Sequence, residues 1–261
     1  MYASPLSSPS TVSMASDAQN NPFIRNLASS DKKVRDEAFD SLRAYLGSQS
    51  HIAELDLLKL WKGLFYCLWM QDKPALQQRL SRELASLVST LREPVVLPFL
   101  RAFWLTIARE WIHIEALRLD KYLYLIRQYV NASFQFLSRN KWKRETLKEW
   151  NKIVEEVPLE SKDMKIPNGL RYHVLDVWAD ELEKVGGVEF EKDQEKAKEI
   201  VEIMVQPVET LAKEGRLKVL RVAAKECLAD QRLRAWRGQE DEVVDEPEEE
   251  DEEAEWGGID D

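Results

Sequence analysis

The chain has 261 residues, of which 44% are hydrophobic and 32% are charged, enough for one large domain or a short solenoid. It has only 9 glycines and 10 prolines, and residues 99–157 contain neither, which excludes an all-β fold and favours long helices. The net charge of −10 arises from residues 240–261, which hold 14 acidic residues and no basic one, whereas residues 1–239 carry 37 basic and 33 acidic residues.

The N-terminal segment, residues 1–21, is rich in Ser, Pro and Ala, and we predict that it is a disordered lead-in. It lacks the basic and apolar regions of a secretory signal. No uncharged apolar run reaches the roughly 18 residues that span a membrane, so no membrane contact is expected. Cys67 and Cys227 lie far apart and outside any CxxC pair, which is typical of a protein from a reducing cytosol or nucleus.

Helically spaced apolar residues predict about ten helices and no strand within one helical domain, residues 22–237. The predicted helices cover residues 21–29, 29–47, 53–70, 73–91, 94–112, 119–137, 141–157, 170–185, 190–214 and 216–236. Residues 158–169 form a predicted loop, and residues 238–261 form a predicted disordered acidic tail. Consecutive helices with short connections form antiparallel pairs, and stacked pairs make a solenoid.

Residues at several predicted helix ends support these boundaries. Ser30 or Asp31 can cap the second helix through a side-chain oxygen. Asp72 can cap the fourth helix, whose first turn accepts Pro74 because the N–H that proline lacks would be unpaired there. The glycine pair 186–187 is predicted to end the eighth helix.

The second predicted helix resembles the second helix of a HEAT repeat, in which an Asp–Arg ladder links neighbouring repeats. The residues that carry this resemblance are Asp31, Val34, Arg35, Ala38 and Leu42. No second clean copy occurs in the sequence, so the prediction depends on helix number and order more than on repetition. We therefore predict an all-α fold in which antiparallel helix pairs stack as a HEAT/armadillo-like α-solenoid.

Glu110 and His113 have the spacing of one half of a helical di-iron site. Such a site needs two Glu-x-x-His pairs, and neither His51 nor His173 follows a Glu at that spacing. We therefore interpret His113 as a helix-end histidine near a solvated glutamate, and we predict no metal and no other cofactor. The sequence also has no G-x-S-x-G elbow and no Gly-rich phosphate loop, so we assign no catalytic residue.

A basic segment, residues 139–148, is a candidate site for RNA. It contains Arg139, Lys141, Trp142, Lys143, Arg144 and Lys148. Basic side chains can neutralise phosphates, and an indole can stack on an exposed base. The alternative is a solvated helix start with Trp142 packed on the core. A second basic helix, residues 216–237, has one apolar face and is more simply explained as a terminal helix.

The acidic tail admits three interpretations that the sequence does not separate. It could mask the basic helix beside it, it could engage basic partners such as ribosomal proteins, or it could only increase solubility. The charge pattern by itself favours none of the three.

Trp-rich blocks with an uncommon spacing occur within residues 22–225, and residues 169–185 form a further block. Their distinctive residues are Trp69, Asp72, Lys73, Pro74, Trp104, Arg109, Glu110, Trp111, Arg118, Asp120 and Lys121. In these blocks the chain resembles the nucleolar ribosomal RNA processing protein 1 family (the Nop52-type domain), as a short, fungal-like member. It departs from the family pattern at His113 and Glu115, where Gly and Asp are common, and this weakens any functional role for His113.

The resemblance implies an all-helical, repeat-like protein of the nucleus and nucleolus. It also implies that the protein joins precursor ribosomal particles and is needed for ribosomal RNA maturation, mainly toward the large subunit. Because the family is not known for catalysis, we expect no enzyme activity and no small-molecule substrate. The expected partners are other ribosome assembly factors, ribosomal proteins and precursor ribosomal RNA. The alternative is an RNA-processing enzyme such as a metal-dependent nuclease, which needs carboxylates clustered around a divalent ion.

Three charged residues of the second block, Arg118, Asp120 and Lys121, lie beside an otherwise apolar helical stripe. Charged side chains in such a position need partners. We therefore predict that the three form an ion and hydrogen-bond cluster that fixes how two helix pairs stack.

Overall fold

The structure is a computed structural model that describes residues 22–27, 29 and 31–239. These residues form twelve α-helices and no strand, which confirms the predicted all-α fold. The helices are α1 (Pro22–Leu27), α2 (Lys32–Ser48), α3 (Glu54–Trp69), α4 (Pro74–Ser86), α5 (Glu93–Glu110), α6 (Ala116–Arg139), α7 (Arg144–Glu156), α8 (Asn168–Lys192), α9 (Gln194–Met204), α10 (Gln206–Glu214), α11 (Lys218–Leu228) and α12 (Gln231–Trp236). The predicted lead-in and all but two residues of the predicted acidic tail lie outside the described residues.

The helices stack in two layers. Along one layer α5 packs against both α3 and α7, and along the other α6 packs against both α4 and α8. Each helix of these layers thus meets the next but one in the chain, which is the arrangement of an α-solenoid and agrees with the prediction. The shorter helices α9 to α12 come after these layers in the chain and pack against α7 and α8.

The first helix starts show which local predictions hold. Asp31 Oδ1 accepts hydrogen bonds from Lys33 N at 2.8 Å and Val34 N at 3.4 Å, so the predicted Asp31 cap of α2 is confirmed. The predicted Asp72 cap of α4 is wrong, because Lys73 holds the cap position and provides no side-chain hydrogen bond. Pro74 occupies the first turn of α4, as predicted.

An Asp–Arg ion pair links the HEAT-like helix α2 to α4. Asp31 caps α2, and the ion pair that links α2 to α4 joins Asp36 Oδ1 to Arg79 Nη2 at 2.6 Å. Arg79 also pairs with Glu83 one turn later in α4. This ion pair between neighbouring helices therefore lies in the helix that the HEAT-like pattern singled out.

Three helix boundaries in the C-terminal half differ from the prediction. The glycine pair 186–187 does not end α8, which continues to Lys192. The reason for a glycine at position 186 is steric, since a Cβ there would lie 2.6 Å from Phe190 Cε2. The glycine thus serves close packing of an aromatic ring one turn later and not a change of chain direction. The predicted helix 190–214 is divided, because Pro207 lies in the first turn of a new helix, α10. The predicted helix 216–236 is also divided, because the Asp230 side chain caps a separate helix, α12. The structure therefore has twelve helices where ten were predicted.

The core of the N-terminal half is built around Trp61 of α3. Its ring centroid lies 5.0 Å from Phe99 and 4.9 Å from Phe103 of α5, and 5.0 Å from Tyr129 of α6. Trp61 Nε1 donates to Phe99 O at 3.0 Å, and Tyr129 Oη donates to Leu84 O at 2.7 Å. The cluster joins helices of both layers, and these two buried polar groups are satisfied.

A second aromatic cluster lies between α6, α7 and α8. The ring centroids of Phe134, Trp150 and Trp178 are each 5.5 Å apart. All three side chains are buried. Because Phe134 belongs to α6 and Trp150 to α7, this cluster fixes the two helices on either side of the basic segment.

Candidate RNA-binding turn and motif cluster

Residues 139–148, which we call the basic turn, connect α6 to α7. Trp142 N donates to Leu137 O at 2.9 Å and Lys141 N donates to Ser138 O at 2.7 Å. These two bonds make a Schellman motif, which usually places glycine where Lys141 stands. Lys141 and Trp142 both have positive φ, at 57° and 53°. The turn is therefore a specific, strained conformation that fixes the positions of its side chains.

The basic side chains of the turn are exposed and available to a ligand. They are Arg139, Lys141, Lys143, Arg144 and Lys148. Within the described part of the chain, none of these five forms an ion pair with a carboxylate. Glu145 is the one acidic residue within residues 139–148, which leaves four positive charges in excess. Exposed, unpaired cations on an ordered turn are suited to contact phosphates.

Trp142 lies in the core and does not belong to this surface. Only 4% of the residue is exposed, and its ring centroid is 5.5 Å from that of Phe190. Its Nε1 donates to Glu189 Oε2 at 3.0 Å. The hydrogen bond from Lys196 is the main cause that lowers the pKa of Glu189, and the bond from Trp142 is the second cause. The predicted stacking of Trp142 on a base is therefore wrong, whereas RNA contact by the basic side chains stays a prediction.

Lys121 is the centre of the motif cluster, which we define as Trp69, Gln71, Arg118 and Lys121. Lys121 is 6% exposed, and its Nζ donates to Trp69 O at 2.7 Å and Gln71 O at 3.0 Å. Both carbonyls lie at the C-terminal end of α3, where a helix leaves carbonyls unpaired and carries partial negative charge. Lys121 thereby holds the start of α6 against the end of α3.

Arg118 and Asp120 differ in their relation to this cluster. The Arg118 guanidinium lies 4.9 Å from the ring centroid of Trp69, and its Nη1 is 3.3 Å from Glu115 Oε2. Asp120 is exposed and forms no hydrogen bond or ion pair within residues 31–239. Lys121 thus forms the predicted hydrogen bonds between helices, Arg118 meets α3 through a cation–π contact and not through an ion pair, and the prediction is wrong for Asp120.

The Glu110–His113 pair does not form a metal site. Glu110 is 6% exposed, its Oε1 is 2.8 Å from Arg109 Nε, and its Oε2 accepts from Tyr66 Oη at 3.4 Å. Burial, and then the charge of Glu110, raise the pKa of Tyr66. His113 is exposed in a turn of 3-10 helix, Trp111–His113. The interpretation of Glu110 as solvated is therefore wrong, because this carboxylate is buried and paired.

The other motif residues have separate surroundings. Trp104 is 2% exposed in the core, and Trp111 is half-buried. A Cβ at Gly169 would lie 2.9 Å from Trp111 Cζ2, so this glycine lets α8 approach the indole closely. The motif residues of the link to α4 are exposed, namely Asp72, Lys73 and Pro74. The motif thus marks one helix junction in which some residues are buried and others face solvent.

We expect Lys121→Met to lower the free energy of unfolding by about 1–3 kcal/mol near pH 7, the cost of one unpaired carbonyl at a part-buried site. Trp69 O would lose its partner, while Gln71 O would keep its bond from Gln77 Nε2 at 2.8 Å. Urea unfolding measures the change. The exposed neighbour Asp120→Asn is the control, with an expected change of at most about 0.5 kcal/mol.

The pH dependence of Lys121 gives a second measurement. Burial, and then the like charge of Arg118, lower the pKa of Lys121 from 10.5 to about 8. Between these values the unfolded chain binds the proton more tightly than the folded chain, so stability rises with pH there. We expect wild type to gain stability relative to Lys121→Met as pH rises from 8 to 10.5. A constant difference would show that the ammonium group is not buried in the way described.

The basic turn and the motif cluster lie near opposite ends of α6. Lys121 stands in the second turn of this helix, and Arg139 is its last residue. At a rise of about 1.5 Å per residue, the two are roughly 27 Å apart. The structure therefore does not bring the two sets of predicted residues into one site.

Several arginines with defined partners were not predicted from the sequence. Arg171 is 1% exposed and holds the loop before α8. Arg127 pairs with Glu181 at 2.5 Å and with Asp180 at 2.8 Å, and Asp180 also pairs with Arg232 at 3.0 Å. The available signal was Arg171 on the apolar stripe of its helix, a position that a solvated arginine would not occupy.

Two absences hold for the described residues. None of their helices combines the length and the apolar character that crossing a membrane requires. No group of three or more His, Cys, Asp or Glu side chains among them is arranged to hold a metal ion.

Comparison with known proteins identifies the family. A family model described as "Nucleolar protein, Nop52" matches residues 18–261. Human Ribosomal RNA processing protein 1 homolog B is 41% identical over 178 residues, which are 66% of this chain and 23% of the relative. Human homolog A is 37% identical over 190 residues, 69% of this chain and 41% of the relative. The Drosophila melanogaster homolog is 33% identical over 178 residues, which are 66% of this chain and 26% of the relative.

The matched region spans less than half the length of these curated relatives. The family model nevertheless covers most of the chain, including all twelve helices from α1 to α12. The chain therefore belongs to the Nop52 family of nucleolar proteins.

Proposed function

We propose that this protein is a non-enzymatic ribosome biogenesis factor that acts as a helical scaffold in nucleolar precursor particles, mainly those of the large subunit. Its family and the names of its relatives support a role in ribosomal RNA processing. A solenoid offers a long surface on which several partners can bind together. Its partners in this proposal are other assembly factors, ribosomal proteins and precursor ribosomal RNA.

The basic turn is the part of the molecule that contacts RNA in this proposal. The supporting observation is its five exposed basic side chains without carboxylate partners in the described structure. The Schellman motif holds Lys141 and Lys143 at fixed positions beside the buried Trp142. Such a surface reads phosphates and not bases, so it gives affinity and orientation more than sequence specificity.

We expect the triple variant Lys141→Glu, Lys143→Glu and Arg144→Glu to lose affinity for precursor ribosomal RNA and to leave the large precursor particles in co-sedimentation. Loss of three phosphate contacts should reduce the slope of log affinity against log salt by about 2, at roughly 0.7 for each contact with a single strand. RNA affinity measured from low to high salt gives this slope.

The control for charge is a second triple variant, Lys32→Glu, Lys165→Glu and Lys198→Glu. These lysines are also exposed and also without ion pairs in the described part of the chain, but they lie far apart on other elements. If both triple variants change affinity and salt slope equally, the basic turn has no special role in RNA binding.

The alternative function, a metal-dependent nuclease, is tested by an RNA cleavage assay. Purified protein incubated with precursor RNA and Mg²⁺ should leave the RNA intact if the protein is a scaffold. Cleavage that is lost on substitution of a single carboxylate would overturn the scaffold proposal.

A further inference from the structure

An open groove lies between α6 and α11, two helices that both pack on α8. Its walls carry Leu119 and Leu123 on α6, and Ala223 and Cys227 on α11. Its volume is about 670 Å³. The lining of α8 extends from Gly169 to Ala179, a length of about 15 Å at 1.5 Å per residue. We call this the α8 groove, and its length equals about three turns of a helix.

Apolar side chains within the α8 groove are accessible to a partner. Tyr172, which lines it, is 38% exposed. Leu119 and Leu123 of α6 and Ala223 and Cys227 of α11 also line it, and each of these residues is partly exposed. Apolar residues concentrated at one exposed site indicate an interaction surface, whereas scattered ones do not.

The charged side chains that line the α8 groove are carboxylates. Asp176 and Glu226 line it, are exposed, and form no ion pair within the described residues. Asp230 also lines it but pairs with Arg232 at 2.8 Å. An incoming cation therefore finds two free carboxylates, one on α8 and one on α11.

The titratable groups inside the α8 groove add no positive charge. His173 Nε2 lies 2.8 Å from Leu123 O, and burial lowers the pKa of this imidazole, which keeps it neutral near pH 7. Burial, and then Asp230, raise the pKa of the Cys227 thiol to about 12, so it is also neutral. Apolar walls and two rim carboxylates are thus the chemical character of the groove.

We propose that the α8 groove binds an amphipathic helix of a partner protein, with an apolar face toward α8 and Lys or Arg residues beside Asp176 and Glu226. A helix of about three turns places apolar residues at positions i, i+3, i+4 and i+7 along the groove. RNA and the acidic residues 240–261 of this chain carry the same sign as the rim and are disfavoured. This surface is separate from the basic turn and does not depend on RNA contact.

A designed peptide tests the proposal with the purified full chain and no RNA. The probe is a fluorescent helical peptide of about five turns, with Leu on one face and Lys along both edges of that face, and its counterpart has Glu in place of Lys. We expect the Lys peptide to bind wild type, and Asp176→Lys with Glu226→Lys to weaken this binding at least tenfold and to favour the Glu peptide. Ala223→Trp, which fills the groove, should weaken binding of the Lys peptide.

Matched variants separate the groove from general charge. Glu199→Lys with Glu202→Lys changes two exposed, unpaired carboxylates of α9 by the same amount and should alter peptide affinity less than twofold. The proposal is overturned if the Lys peptide does not bind wild type, or if both charge pairs give the same loss. A dimer in sedimentation velocity that Ala223→Trp dissociates would assign the groove to a second copy of this chain, and competition by RNA would assign it to nucleic acid.

Discussion

We expect Trp142→Ala to lower the free energy of unfolding by about 3–5 kcal/mol, the usual cost of truncating a buried Trp. The side chain is 4% exposed, packs on Phe190, and donates from Nε1 to Glu189 Oε2 at 3.0 Å. Its loss would open a cavity between the basic turn and α8 and would leave Glu189 with Lys196 alone. Urea unfolding measures the effect, and the slope of the unfolding free energy against urea concentration should stay unchanged.

The RNA affinity of the same variant separates packing from recognition. If Trp142 only packs, Trp142→Ala should bind precursor RNA with wild-type affinity in conditions where it is folded. Trp142→Phe keeps an aromatic ring on Phe190 and should recover most of the lost stability. The base-stacking interpretation demands the reverse, with little change in stability and about 1–3 kcal/mol of lost binding.

Arg171→Met should lower the free energy of unfolding by about 2–4 kcal/mol, because three part-buried carbonyls would lose their partners together. Arg171 donates from Nε to Glu160 O at 2.8 Å, from Nη2 to Asp163 O at 2.8 Å, and from Nη1 to Ile166 O. Burial lowers the pKa of Arg171, so enclosing the charge itself has a cost that the Met variant recovers. The net loss of stability still comes from the unpaired carbonyls in the loop between α7 and α8.

Two further variants show whether the planar fork of Arg171 matters. Arg171→Lys keeps the charge but reaches fewer of the three carbonyls, so we expect a loss close to that of Met. Lys162→Ala is the control in the same loop. It removes an ion pair with Glu214 at 2.7 Å whose two side chains are 70% and 53% exposed, so we expect a much smaller loss of stability than for Arg171→Met. An equal loss for Arg171→Met and Lys162→Ala would show that Arg171 does not hold the loop.

Helix positions were predictable because they depend on local spacing. The apolar stripe of α6 and the Asp31 cap of α2 act within a few residues of the chain, and both appear as expected. The glycine pair in α8 was misjudged because the approach of Phe190, and not chain direction, explains Gly186. A glycine that permits close packing and a glycine that ends a helix have the same sequence signal.

The candidate sites were only partly predictable, because their partners come from distant elements. The basic side chains of the turn could be read from residues 139–148, but the burial of Trp142 depends on Phe190, 48 residues later. Lys121 was assigned to a cluster, yet its acceptors are backbone carbonyls of α3, which have no signature in sequence. The α8 groove requires three helices, each of which looks ordinary alone.

The length of α6 limits which insertions and deletions keep the contacts at both ends of this helix. One end is held by Lys121 on the carbonyls of α3, and the other by Phe134 against Trp150 of α7. Each residue added to a helix rotates the later part of that helix by about 100° and moves it by about 1.5 Å. A one-residue insertion between these anchors would therefore turn the basic turn to another side of the molecule, even with every charge intact. Insertions and deletions in α6 should be tolerated far less than substitutions on its exposed face.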